Sequence, residues 1–89
     1  MQSNDHQKAR RLFKQGRHDS AINRLNAWLR RHPMDAHAHL DLAAPLFALG
    51  HLLEAEEAAR KAAALKEDFS EAWAKLATIQ AARGQVGSP

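Results

Sequence analysis

Three histidines, His32, His37 and His39, lie close together with Asp41 just beyond them, and this is the chain's nearest approach to a metal-ligand cluster. Helical geometry works against it. His37 and His39, two residues apart, project to different sides of a helix, whereas His37 and Asp41, four apart, share a face. Two ligands do not close a zinc site, and with no cysteine in the chain there is no thiolate to add. No metal or other cofactor is therefore expected. Ser3, Ser20, Ser70 and Ser88 fall at helix ends, early in a helix or in the tail. None belongs to a nucleophile elbow, and there is neither a phosphate-cradling glycine loop nor a metalloprotease helix motif. The expectation is a protein that is not an enzyme. What remains are charged and apolar side chains on helix surfaces, suited to binding rather than to reaction.

Charge is unevenly spread. Residues 1–33 hold eight lysines and arginines against two acids, a net +6, whereas residues 34–89 hold five against eight, a net −3. Such polarity can steer an acidic partner to the first third of the chain or align molecules head to tail. At 89 residues, with much of its 45% apolar fraction supplied by alanine, the chain is a single domain of modest stability. No run reaches the length of a membrane span, and residues 1–16 are polar and charged rather than a signal sequence. The expectation is a cytoplasmic protein without a membrane partner.

These side chains are positioned by a period. Gly16, Gly50 and Gly84 stand thirty-four residues apart, and flanking residues fall into columns at the same interval: Ala9, Ala43 and Ala77; Ala21 and Ala55; Leu12 and Leu46; Leu42 and Leu76. Matched alanines on either side of a turn are what a close helix pair needs, and leucines fill the columns between. The reading is all-α, with five helices over about residues 4–15, 18–31, 36–49, 52–65 and 70–83. Asp35 is placed to cap the third helix and Ser70 the fifth. The glycines end helices in the left-handed conformation. Pro45 falls inside the third helix, where it lacks an N–H and opposes the carbonyl of Asp41. His39 shares a column with Trp73, and His18 with Leu52 and Val86, which predicts that both histidines pack between helices.

The thirty-four-residue unit of helix, turn and helix, with Trp73, Leu76, Ala77 and Gly84 in W-x-x-L-A spacing before the glycine, resembles the tetratricopeptide repeat (TPR) family. Units 2–35, 36–69 and a truncated 70–84 make an array over residues 1–84, an α-solenoid of about two and a half repeats, with residues 85–89 as a flexible tail. The first unit departs from the family pattern at Asp5 and Lys8, and carries Trp28 where the second has Ala62. The resemblance implies a concave groove binding a protein or peptide ligand, lined by His6, Arg10, Phe13 and Lys14 from the first unit. The second would supply His37, Leu40, Asp41, Ala44 and Phe47, and the third Glu71, Lys75 and Thr78. The family's clamp for chaperone C-termini is not matched: Asp41 stands where asparagine is expected, and His6 and Arg10 replace a lysine and an asparagine.

Two other roles are weighed against the scaffold. Trp73, Leu76 and Ile79 give the fifth helix an apolar face without a partner, so a tendency to form homodimers is expected, and with it a purely structural role in joining chains. Nucleic-acid binding through the basic N-terminal hairpin ranks lower, because its arginines spread around two helices with little exposed aromatic interleaving.

Overall fold

The computed structural model describes residues 5–84, with side chains from residue 7 onward, so the tail 85–89 and the side chain of His6 lie outside it. Five helices follow in order: α1 (Asp5–Lys14), α2 (His18–Arg31), α3 (Ala36–Ala48), α4 (Leu52–Leu65) and α5 (Ser70–Ala82). No strand occurs among the described residues, and no helix there is long and apolar enough to cross a membrane.

The glycines end helices as the period requires. Gly16, Gly50 and Gly84 have φ of 82°, 84° and 78°. After α1, the Arg17 N–H donates to the Leu12 carbonyl and the Gly16 N–H to that of Phe13. After α3, His51 and Gly50 repeat this onto Leu46 and Phe47. These paired bonds satisfy carbonyls that the helix end would orphan, and the tight reversal sends each helix back along its predecessor.

Each helix packs on the next, and α1 meets α3 as α3 meets α5, whereas α2 and α4 make no close backbone approach among the described residues. Alanine sets the spacing. Ala21, Ala38, Ala43, Ala55, Ala59, Ala62 and Ala72 have no exposed surface. Leu25, Leu29, Leu46, Leu76 and Ile79 fill the space between them.

Several expectations need correction. Ser70 is not a cap: Phe69 holds the N-cap position without a side-chain bond, and its buried ring against Ala36, Leu40 and Ala62 fixes where α5 begins. Asp35 does cap α3, accepting from the Ala38 N–H at 3.1 Å. Pro45 lies inside α3 as expected, its ring fully buried, so that packing offsets the missing hydrogen bond. Ala77 is exposed, unlike its column partners Ala9 and Ala43.

The two units reach the same packing with different residues. Trp28 donates its indole N–H to Asp35 at 2.8 Å; one period on, the small Ala62 lies under the large Phe69. His39 Nε2 donates to the Pro33 carbonyl at 2.8 Å, and in the matching columns Trp73 Nε1 donates to that of Glu67 at 2.9 Å. Ile22 packs on the core cluster that contains Leu46, but its column partner is Glu56, only 5% exposed. That carboxylate accepts from Gln80 at 3.1 Å and from Arg60 and Arg83. Gln80 and Arg83 stand one period after Leu46 and Leu49, so a polar trio occupies columns that are apolar one unit earlier.

Gly50→Val is expected to lower unfolding free energy by about 1–2 kcal/mol, through backbone strain alone, since nothing lies within 4 Å of where the Cβ would stand. Urea denaturation measures it. Glu56→Ala is expected to cost on the order of 2 kcal/mol, less than a fully buried pair because Arg60 and Arg83 keep some solvent. The combination Glu56→Ile, Gln80→Leu and Arg83→Leu, which copies the first unit, is expected to return to within about 1 kcal/mol of the original chain. A triple variant no more stable than Glu56→Ala would refute the equivalence of the two trios.

Candidate functional site

α1 approaches α3 and α3 approaches α5, whereas α2 and α4 do not approach, so α1, α3 and α5 share one side of the stack, termed the inner side. Between them lies a hollow of about 280 Å³ lined by Ala9, Arg10, Phe13, Leu40, Asp41, Ala44, Glu71 and Lys75. Seven of these were expected in the groove: Arg10, Phe13, Leu40, Asp41, Ala44, Glu71 and Lys75. The period explains the convergence. Arg10 and Ala44 occupy one column and Asp41 and Lys75 another, so each helix brings the same face to the same side.

The floor is apolar and small-residue. Ala9 and Leu40 are buried, Ala44 and Phe13 are half-buried, and the two alanines leave the space that larger side chains would fill. Phe13 serves two purposes, bordering the hollow while packing on the cluster of Ala9, Ala21 and Leu25 and tilting against His18 at 5.0 Å between ring centroids. Charge on the walls alternates: Arg10 from α1, Asp41 from α3, Glu71 and Lys75 from α5. Arg10 Nη2 stands 3.5 Å from Asp41 Oδ1, with 61% of the Arg10 side chain exposed against 13% of Asp41. An ion pair this long is weak, and the exposed Arg10 guanidinium can turn to a ligand at little cost, whereas Asp41 is held among its neighbours.

The other expected groove residues are placed differently. Lys14 is exposed at the end of α1, outside the hollow's lining. His37 is exposed and tilts against Phe69 at 4.7 Å. Phe47 is half-buried against the core cluster shared by α3, α4 and α5. Thr78 is exposed and returns its hydroxyl to the Ala74 carbonyl at 3.1 Å. His6 has no described side chain.

The expected self-association face is also redistributed. Leu76 and Ile79 are buried within the chain against Ala43, Leu46, Ala55 and Ala59, because α5 turns its apolar side onto α3 and α4. Trp73 remains half exposed, with its indole N–H already committed to Glu67. His39 packs as expected, while His18 is half-buried with its Nδ1 lacking a hydrogen-bond partner. No group of three or more histidines and carboxylates able to hold a metal occurs among the described residues.

Sequence reasoning overlooked Glu56 and its three donors. The signal was a joint one: Ile22, Leu46 and Leu49 all become polar one period later.

Arg10→Ala is expected to change unfolding free energy by less than about 1 kcal/mol, so that a binding defect in this variant reads the hollow rather than the fold. Thermal and urea unfolding check it, and a larger loss would make the Arg10–Asp41 pair structural. Neither models of protein families nor curated proteins match the chain, so its functional reading rests on these residues.

Proposed function

We propose that the chain is a scaffold module of the TPR type, an α-solenoid array that binds an extended peptide segment of a partner protein across α1, α3 and α5. One observation carries this reading: side chains from three helices, set at the interval of the period, line one hollow with an apolar floor and walls of both signs. Small side chains underneath admit a ligand side chain, and the exposed charges above, Arg10 and Glu71 among them, can bond the ligand's own charges. Nothing in the hollow couples a nucleophile to a base, so its chemistry is recognition.

A second reading, an assembly element that joins copies of the chain end to end, draws on exposed apolar surface at Trp73 and Leu53, which are 50% and 62% exposed. It has lost the support of Leu76 and Ile79, which serve the chain's own core.

Peptides selected from a displayed random library are expected to bind with loss of about tenfold or more in affinity on combining Arg10→Glu with Lys75→Glu, each tenfold being about 1.4 kcal/mol. Their amide shift perturbations should centre on Ala9, Leu40 and Ala44. Perturbations confined to α2 and α4, or affinity indifferent to the double variant, would overturn the groove. Loss of a concentration-dependent dimer on Trp73→Ala, without loss of peptide binding, would favour assembly as a second role.

A further inference from the structure

α2 and α4 run in the same sense, because each is joined to α3 by a short turn and doubles back along it. Their C-terminal ends therefore lie beside the start of α3, and their N-terminal ends beside its close. Between them opens a crevice of about 540 Å³, which shares no lining residue with the inner hollow. Its floor is apolar: Leu42 and Leu46 from α3, Ile22 and Leu29 from α2, and Ala58 from α4.

The walls carry charge in an order. Glu54 and Glu57 stand on the first two turns of α4, Lys61 on its third turn and Arg30 in the last turn of α2. Acid thus lines the end near the close of α3, and base the end near its start. All four side chains are exposed. Among the described residues Arg30, Glu57 and Lys61 form no ion pair, and Glu54 stands 3.4 Å from the exposed Nδ1 of His51, a weak contact. Glu54 and Lys61 are seven residues apart, about 10.5 Å along the helix axis.

We propose that this crevice is a second docking surface, and that its occupant is a helix of a partner protein with opposite charges at its two ends. The helix carries an acid, then large apolar residues three and four positions on, then a base seven positions on, which puts all of them on one face. The acid meets Arg30 and Lys61, the apolar pair rests on Leu42 and Leu46, and the base reaches Glu54 and Glu57. So oriented, the helix runs with α3 and against α2 and α4. Its acid lies toward its own N-terminus and its base toward its C-terminus, as the helix dipole favours. Because α2 and α4 make no close approach, a ridge of side chains can enter between them. A polyanion does not suit the crevice, since phosphates would meet Glu54 and Glu57 at one end.

The test compares a fluorescently labelled helical peptide of this pattern with an isomer in which acid and base have exchanged places. Fluorescence anisotropy is expected to show the first binding about tenfold or more tightly than the second, with affinity falling as salt rises from about 0.05 to about 0.5 M. Arg30→Glu with Lys61→Glu, or Glu54→Lys with Glu57→Lys, should each weaken the first peptide by about tenfold or more. With all four positions changed, the preference between the isomers should invert. Circular dichroism and melting report folding, and Arg30→Gln with Lys61→Gln, expected to weaken binding by about threefold or more, replaces any charge reversal that unfolds the chain. The inner-face pair Arg10→Glu and Lys75→Glu should leave these affinities unchanged, which keeps the result distinct from failure of the inner groove. No binding by either isomer, equal binding by both, or a folded four-position variant whose preference does not invert overturns the proposal. So does a concentration-dependent dimer that the peptide dissociates, since a second copy of the chain would then be the occupant.

Discussion

Close approach of helix backbones across alanine is the constraint on which the rest of this structure depends. Where Ala21, Ala43, Ala55, Ala59 and Ala62 are wholly enclosed, no larger side chain fits without moving a helix. The same alanines bury little apolar area each, so the fold gains less from transfer out of water than a leucine-rich core would. Its specificity therefore leans on a few directional bonds. Asp35, His39 and Glu56 each tie one element to the next, and each is a polar group whose partners are inside the chain. Burial makes those bonds consequential, since a partner removed would leave a group that water cannot fully reach.

Repetition here is of geometry rather than of residues. Trp28 with Asp35 and Ala62 with Phe69 each put one large side chain into the joint between a second helix and the following turn. His39 and Trp73 both aim a ring N–H at a carbonyl six residues earlier. The change from Ile22 to Glu56 is tolerable because Gln80 and Arg83 change with it. A lone carboxylate at that depth would oppose folding, whereas one with three donors is satisfied. Paired substitutions of this sort let the period persist in backbone while fading in sequence.

That difference decides what could be read without coordinates. The five helices were legible because glycine and alanine act at single positions: a positive φ or a close contact leaves the same residue in every unit. The residues of the hollow came by another route: Arg10, Leu40, Asp41, Ala44 and Lys75 were named through the resemblance to a repeat family, and the structure sets them around one space. Other features belong to pairs. The start of α5 was assigned to Ser70 because its hydroxyl can cap, but the burial of Phe69 depends on Ala62 and Leu40, which no local rule connects to it. Leu76 and Ile79 were read as an uncovered face because α5 was compared with a first helix awaiting a second. In the structure α4 covers that side from behind, as α2 covers the corresponding side of α3.

Charge can act here at two ranges. Around the inner hollow Arg10, Asp41, Glu71 and Lys75 bring both signs within a small space, so their fields largely cancel a short distance away and discriminate only between ligands already in contact. Along the chain, by contrast, the first thirty-three residues carry a net +6, and fields of one sign add. Potential of that kind reaches to about a Debye length, ~8 Å at physiological salt, and acts on encounter rate before it acts on fit. On the proposed reading, the uneven charge of the chain would bear on how a partner arrives, and the alternating charges between α1, α3 and α5 on whether it stays.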